Sequence, residues 1–160
     1  MENKIIVFAV LLFGLLSCQN NIVWQQTKDI DPKGWHKDSI VSLSYSPNKT
    51  KINTYDIFFL IRNDNNYPYA NLFLIAEIDN NKQKIIDTLE YAMADEKGNW
   101  LGSGIWDLKE SKLVYKKNVN LDTAITIKLQ QANRKTGEKN GDIILPGIKT
   151  VGIIIEKHQE

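Results

Sequence analysis

The chain has 160 residues, and its 20 Lys and Arg against 19 Asp and Glu leave a formal net charge of +1 at pH 7. With no basic run longer than a pair such as Lys116-Lys117, the sequence offers nucleic acid no electrostatic footprint. One cysteine excludes a disulfide within the chain, and His36 and His158 stand alone without ligand-spaced partners, so no metal site is expected.

The first element is a targeting segment. Met1-Glu2-Asn3-Lys4 precedes an apolar run from Ile5 to Leu16, interrupted only by Gly14, and the chain turns polar at Gln19-Asn20-Asn21. That order is a secretory signal sequence. The run is too short to span a bilayer, which needs about 20 apolar residues, and it lacks the polar face of a buried helix. Leu15-Leu16-Ser17-Cys18 fits a lipobox, the signal at which bacterial lipoproteins are cleaved before an acylated cysteine. Residues 1–17 are thus expected to be a cleaved lipoprotein signal peptide, with fatty acyl chains such as palmitate attached at Cys18. Residues 18–30 are read as lipidated terminus and tether, and 31–160 as the folded domain. That domain is large enough for a core of its own.

Period-2 patterns dominate the remainder. Residues 22–28, IVWQQTK, read as a first strand or an extended tether. In Ile40–Tyr45 the residues Val41, Leu43 and Tyr45 face one way, and Ser46-Pro47-Asn48-Lys49 forms a turn. Thr54–Arg62, TYDIFFLIR, is apolar enough for a central strand. After the turn at Asn63–Asn66 and Tyr67-Pro68-Tyr69, strands are expected at Ala70–Ile78 and, beyond Asn80-Asn81, at Lys84–Met93, alternating around Ile86, Thr88 and Glu90. Gly98, Gly102 and Gly104, with Trp100 among them, mark a loop or bulged strand. Lys112–Lys117 is a short strand, Thr123–Gln131 alternates through Ile125, Ile127 and Leu129, Leu145-Pro146-Gly147 turns, and Val151–Ile155 closes the sheet. Eight strand candidates without an amphipathic helix predict an all-β fold, a single antiparallel β-sandwich of jelly-roll type.

Few residues offer chemistry, and no catalytic set is predicted. Serines lack a nucleophile-elbow pattern. Asp87 and Glu90, three apart on a strand, point to opposite faces and do not make a ready pair for glycoside hydrolysis. The glycine-rich stretch lacks the lysine and following helix of a phosphate loop. Trp100, Trp106, Tyr67 and Tyr69 have two readings, core packing or a stacking platform for sugars. Arg62, ending a very apolar strand, is either exposed or paired with a carboxylate such as Asp95.

The order of motifs resembles the GldH-type gliding-motility lipoproteins of Bacteroidetes. The matching pieces are Arg62-Asn63, Tyr67-Pro68-Tyr69-Ala70-Asn71-Leu72, Asp87-Thr88-Leu89-Glu90, Ala94-Asp95, Gly98, Trp100-Leu101-Gly102, Gly104, Leu145-Pro146-Gly147-Ile148 and Val151-Gly152-Ile153. Behind the lipobox they span nearly the whole chain. The chain departs from the pattern at Ile105-Trp106, which separates Gly104 from Asp107, and at Asn133, where Met is more usual. The resemblance implies a non-enzymatic envelope lipoprotein of the gliding machinery linked to type IX secretion. It brings no cofactor and no active site. Its implied partners are the membrane, through the lipid, and other gliding or secretion proteins of the envelope, with no small-molecule ligand specified. The alternative is a carbohydrate-binding envelope lipoprotein that uses the aromatic residues. Gln19-Asn20-Asn21 lacks the acidic cluster that marks surface-bound lipoproteins of Bacteroidetes, so an outer-membrane position facing the periplasm is expected. Asp38-Ser39-Ile40, Asp87-Thr88-Leu89 and Asp122-Thr123-Ala124 match the short O-glycosylation sequence of that phylum, with Thr123 the candidate. The surface candidates are Arg62, Tyr67, Tyr69, Asp95, Trp100 and Trp106.

Overall fold

A computed structural model describes residues 21–47, 54–135 and 137–159. Cys18 and the signal segment lie outside the described residues, as does part of the turn expected after Tyr45. Ten strands are described: β1 (Ile22–Asp29), β2 (Trp35–His36), β3 (Val41–Tyr45), β4 (Thr54–Asn63), β5 (Asn71–Asp79), β6 (Lys84–Ala92), β7 (Lys109–Asn120), β8 (Ile125–Gln131), β9 (Ile144–Leu145) and β10 (Ile148–Lys157). They form four-stranded sheets β1-β10-β4-β7 and β3-β8-β5-β6, and the small pair β2-β9.

The pairing is nested. β1 pairs with β10, β2 with β9, β3 with β8, β4 with β7 and β5 with β6, all antiparallel. The chain is one long hairpin with its tip at the β5–β6 turn. Two further ladders, β10 on β4 and β8 on β5, wrap that hairpin into two facing sheets. This is the jelly-roll connectivity, and it bears out the expected β-sandwich.

The sheets meet through their alternating apolar positions. Tyr55, Ile57, Phe59 and Ile61 of β4, with Val151, Ile153 and Ile155 of β10, face Val41, Leu43 and Tyr45 of β3, Leu72, Leu74 and Ala76 of β5, and Ile125, Ile127 and Leu129 of β8. All are buried. Burial of this kind contributes roughly 1.5–3 kcal/mol per large side chain. At the β6–β7 side the core is closed by aromatic rings: Phe59 stacks on Tyr115 at 4.7 Å and meets Tyr91 edge-on at 6.2 Å. Tyr115 also donates to Asp87 Oδ2 at 2.7 Å, which ties β7 to β6 across the two sheets.

Several expectations shift. Residues 22–29 pair with β10 from Glu156 to Thr150, so the sandwich starts at Ile22 and the boundary placed at residue 31 moves to the start of β1. The strand expected at Lys112–Lys117 extends over Lys109–Asn120, because its polar ends complete the ladder with β4. In β6 the outward set is Ile86, Thr88 and Glu90, while Ile85, Asp87, Leu89 and Tyr91 turn inward at the sheet edge.

Candidate functional site

The sequence motifs gather at one end of the sandwich. There Asn63–Ala70, Met93–Leu108 and Ala132–Gly147 connect strands whose other ends lie near Asn21 and Lys157. Asn133 organises the interior of this end. It is 1% exposed, its side-chain oxygen accepts from Phe73 N at 2.9 Å, and its amide donates to Asn71 O at 3.2 Å and Tyr67 Oη at 3.3 Å. Gln131 accepts from Asn133 N and donates to Asp142 O, while Tyr67 donates to Asn71 O at 2.7 Å. Burial pushes the Tyr67 hydroxyl far above its ordinary range. Tyr69 donates to Asp142, and burial together with that carboxylate raises its pKa to about 12.

The four aromatic residues do not make a sugar platform. Tyr67 is buried with its hydroxyl committed to the interior. Tyr69 and Trp100 pack against it, each with ring centroids 6.0 Å away, and both join the core. Trp100 also donates its indole N–H to Asn65 Oδ1 at 3.1 Å. None of the four rings lines the hollows of about 340 and 490 Å³ beside Trp35 and Phe73. Core packing is therefore the role the geometry gives three of them, and only Trp106 is free.

Arg62 and Asp95 are not partners. Strand register sets Arg62 opposite Glu110, and its Nε donates to Glu110 Oε2 at 2.7 Å in a pair about two-fifths exposed. Asp95 instead closes its own turn. Its carboxylate accepts from the Asn99 side chain at 2.9 Å and from the backbone N–H groups of Asn99 and Lys97. Those bonds, the Asn99 side chain foremost, hold its carboxyl below the usual range.

The loop carrying Trp106 is pinned at both feet. Leu101 N donates to Met93 O, and Ser103 and Glu110 exchange backbone hydrogen bonds at 2.9 and 2.7 Å. Asn65 Nδ2 donates to Asp107 Oδ1 at 3.0 Å, so Asn65 ties Trp100 and Asp107 together. The apex projects: Trp106 is 89% exposed, Ile105 76%, Leu101 58% and Leu108 43%. Apolar neighbours Leu101, Ile105 and Leu108 escaped the sequence reading because nothing in a one-dimensional pattern separates an exposed leucine from a core one. Asn65, Gly147 and Asn133 escaped it because their roles are long-range contacts.

Thr123 is half-buried, and its hydroxyl reaches Asn80 O at 3.5 Å. Ser39 and Thr88, in the other two acceptor-like triplets, are exposed. Thr123, the candidate among the three, is thus less exposed than Ser39 and Thr88, because β8 begins just after it at Ile125.

A family model described as GldH lipoprotein matches residues 22–155. The gliding motility lipoprotein GldH homolog of Christiangramia forsetii is 45% identical over 156 residues, covering 96% of this chain and 93% of that protein. The gliding motility lipoprotein GldH of Flavobacterium johnsoniae is 38% identical over 154 residues, covering 96% and 94%. Among solved structures, the infectious bursal disease virus VP2 subviral particle aligns with a TM-score of 0.33 and 17% identity, over 85% of this chain and 30% of the viral one. The chain thus spans about a third of that viral chain's length, and so slight a likeness bears on neither fold nor function.

Proposed function

The chain belongs to the GldH lipoprotein family, and on that premise we propose that it is a lipid-anchored, non-enzymatic accessory or assembly component of the gliding machinery linked to type IX secretion. Its acyl chains sit on Cys18, and its domain faces the periplasm from the outer membrane. The relatives' names supply the motility, and the lipobox supplies the anchor. The absence of acidic residues in Gln19-Asn20-Asn21 supports the periplasmic side.

One observation bears on the length of that anchor. Asn21 O accepts from Lys157 N at 3.0 Å, where β1 enters the sheet. Three residues, Gln19, Asn20 and Asn21, separate Cys18 from β1, and at about 3.5 Å per residue they reach only about 10 Å. So short a leash keeps the Ile22 end of the domain near the bilayer and raises its effective concentration beside membrane-bound partners. The engagement of Asp87, one of the two carboxylates weighed for glycoside hydrolysis, supports the non-enzymatic half of the reading: it accepts from Tyr115 at 2.7 Å and pairs with Lys116 at 3.1 Å.

The test is deletion and complementation in the producing bacterium. Cells without the gene are expected to lose gliding and to regain it with the wild-type chain. Gliding in the deletion strain, or digestion of the domain by protease added to intact cells whose periplasmic markers survive, would overturn the function or the orientation respectively.

A further inference from the structure

The exposed apolar loop stands at the end of the sandwich opposite the tether. Lys109, where the loop joins β7, pairs with Asn63, and Asn63 pairs with Ile148 at the start of β10. At the other end Ile22 pairs with Glu156, and Tyr55 with both Lys157 and Val119. A strand of this length separates the two ends by about 25 Å at 3.3 Å per residue. Cys18 precedes Asn21 by only three positions in the sequence, so on the reading that it carries the lipid the bilayer lies at the Asn21 end, away from Trp106.

Single exposed apolar residues are ordinary, but a contiguous group marks an interaction site. Leu101, Ile105, Trp106 and Leu108 are exposed within eight residues of one loop whose feet are fixed by hydrogen bonds. Trp106 also holds φ at +58°, a left-handed backbone conformation that a tryptophan adopts only when its surroundings impose it. In that conformation its ring stands in solvent. An exposed tryptophan beside exposed aliphatic residues is the chemistry of an interface anchor.

The position of the tether selects the occupant. The leaflet that holds the anchor is out of reach. A second copy anchored in the same leaflet points its loop the same way, and a tip-to-tip twofold contact sends the two anchors in opposite directions. We infer that the Leu101–Leu108 loop is a docking knob, which inserts Ile105 and Trp106 into an apolar pocket of a different envelope protein on the membrane-distal side. The inference rests on the reading that Cys18 carries the lipid.

The full acylated chain tests it in its own envelope. A photoreactive phenylalanine analogue replaces Trp106 in one strain and Ile86, exposed on an outer sheet face, in another. The expected result is one identified protein joined at position 106, absent at position 86, and lost when Ile105→Asp is added. That protein, purified, binds the acylated chain in micelles roughly 10- to 30-fold more weakly after Trp106→Ala, the range of an interface hot spot, at an unchanged unfolding temperature. A homodimer adduct, a phospholipid adduct in phosphatidylethanolamine–phosphatidylglycerol vesicles, no adduct, or affinity within twofold of wild type each overturns the knob. Fractionation of the same cells reads the anchor separately. Wild-type chain in the soluble fraction sinks the anchor and the inference together, whereas anchored chain without an adduct at 106 sinks the inference alone.

Discussion

Gly147 lies directly on the backbone of Tyr67: a Cβ at position 147 would stand 2.5 Å from Tyr67 Cα and closer still to its amide nitrogen. The contact joins the Leu145-Pro146-Gly147-Ile148 and Tyr67-Pro68-Tyr69 motifs, and it is clamped by Asp64 N donating to Gly147 O at 2.9 Å and by the Lys149–Asp64 pair at 2.9 Å. Gly147 also has φ +80°. Alanine there meets both a left-handed backbone and an immovable neighbour, so Gly147→Ala is expected to cost about 3 kcal/mol or more. Gly98, at φ +84° with nothing near its missing Cβ, isolates the backbone part. Gly98→Ala is expected to cost about 1 kcal/mol. Urea unfolding of the two variants checks the ordering, and equal losses would assign the whole effect to φ.

Asn133 gives a second stability prediction. Asn133→Leu removes the acceptor of Phe73 N–H and a donor to Asn71 O inside a site closed to water. The expected loss is about 2–4 kcal/mol, the scale of stranding buried polar groups. Tyr67→Phe removes the hydrogen bond to the same Asn71 carbonyl and the one accepted from the Asn133 amide, and is expected to cost about 1–2 kcal/mol. The shared partner makes the pair non-additive, and a double-mutant cycle by thermal unfolding measures that coupling.

Strands with one buried face were legible in the sequence. β3 and β8 alternate because Val41, Leu43 and Tyr45 face Ile125, Ile127 and Leu129 across one ladder. β2 and β9 left no trace, since two residues carry no period and their pairing of Trp35 with Leu145 comes only from the nested topology. The ends of β7 are polar and are strand only because β4 lies beside them. Arg62 shows the same limit at the level of a side chain: register, which one sequence does not reveal, sets Glu110 rather than Asp95 opposite it. The candidate site was legible as a set of motifs meeting somewhere. Which members are core and which are surface depends on Asn133 and Asn65, two polar residues without any local signature of their contacts.

Acid should unfold the protein through a few specific carboxylates. Tyr115 foremost, then Lys116 at 3.1 Å, holds Asp87 below the usual carboxylate range against the opposing effect of burial. Burial also pushes Asp56 and Asp64 upward, but Asn118 and His158 outweigh it at Asp56, and Lys149 and Asn66 at Asp64, so both are lowered. A depressed folded pKa gives stability that is complete above the unfolded pKa of about 4 and is lost as pH falls through the lower folded value. Stability should therefore be level above about pH 5 and decline below about pH 4. Asp87→Asn is expected to be less stable than wild type by about 1 kcal/mol at pH 7, a figure reduced for partial solvent screening, with the gap closing near pH 2. Denaturant midpoints at pH 7 and at low pH provide the measurement, and a gap independent of pH would remove Asp87 from the account.

The anchor makes the sharpest chemical prediction, because Cys18 is the chain's only thiol. If the lipobox reading holds, labelled palmitate enters the wild-type chain and not Cys18→Ser. The wild type partitions into detergent on phase separation, because each buried methylene contributes about 0.8 kcal/mol and several chains together hold far more firmly than one. Cys18→Ser should keep the domain's unfolding midpoint, since the described sandwich starts at Ile22. Loss of anchoring with unchanged folding is the outcome that separates tether from domain. Palmitate label persisting in Cys18→Ser would place the lipid on another atom and withdraw the leash geometry that orients the Trp106 loop.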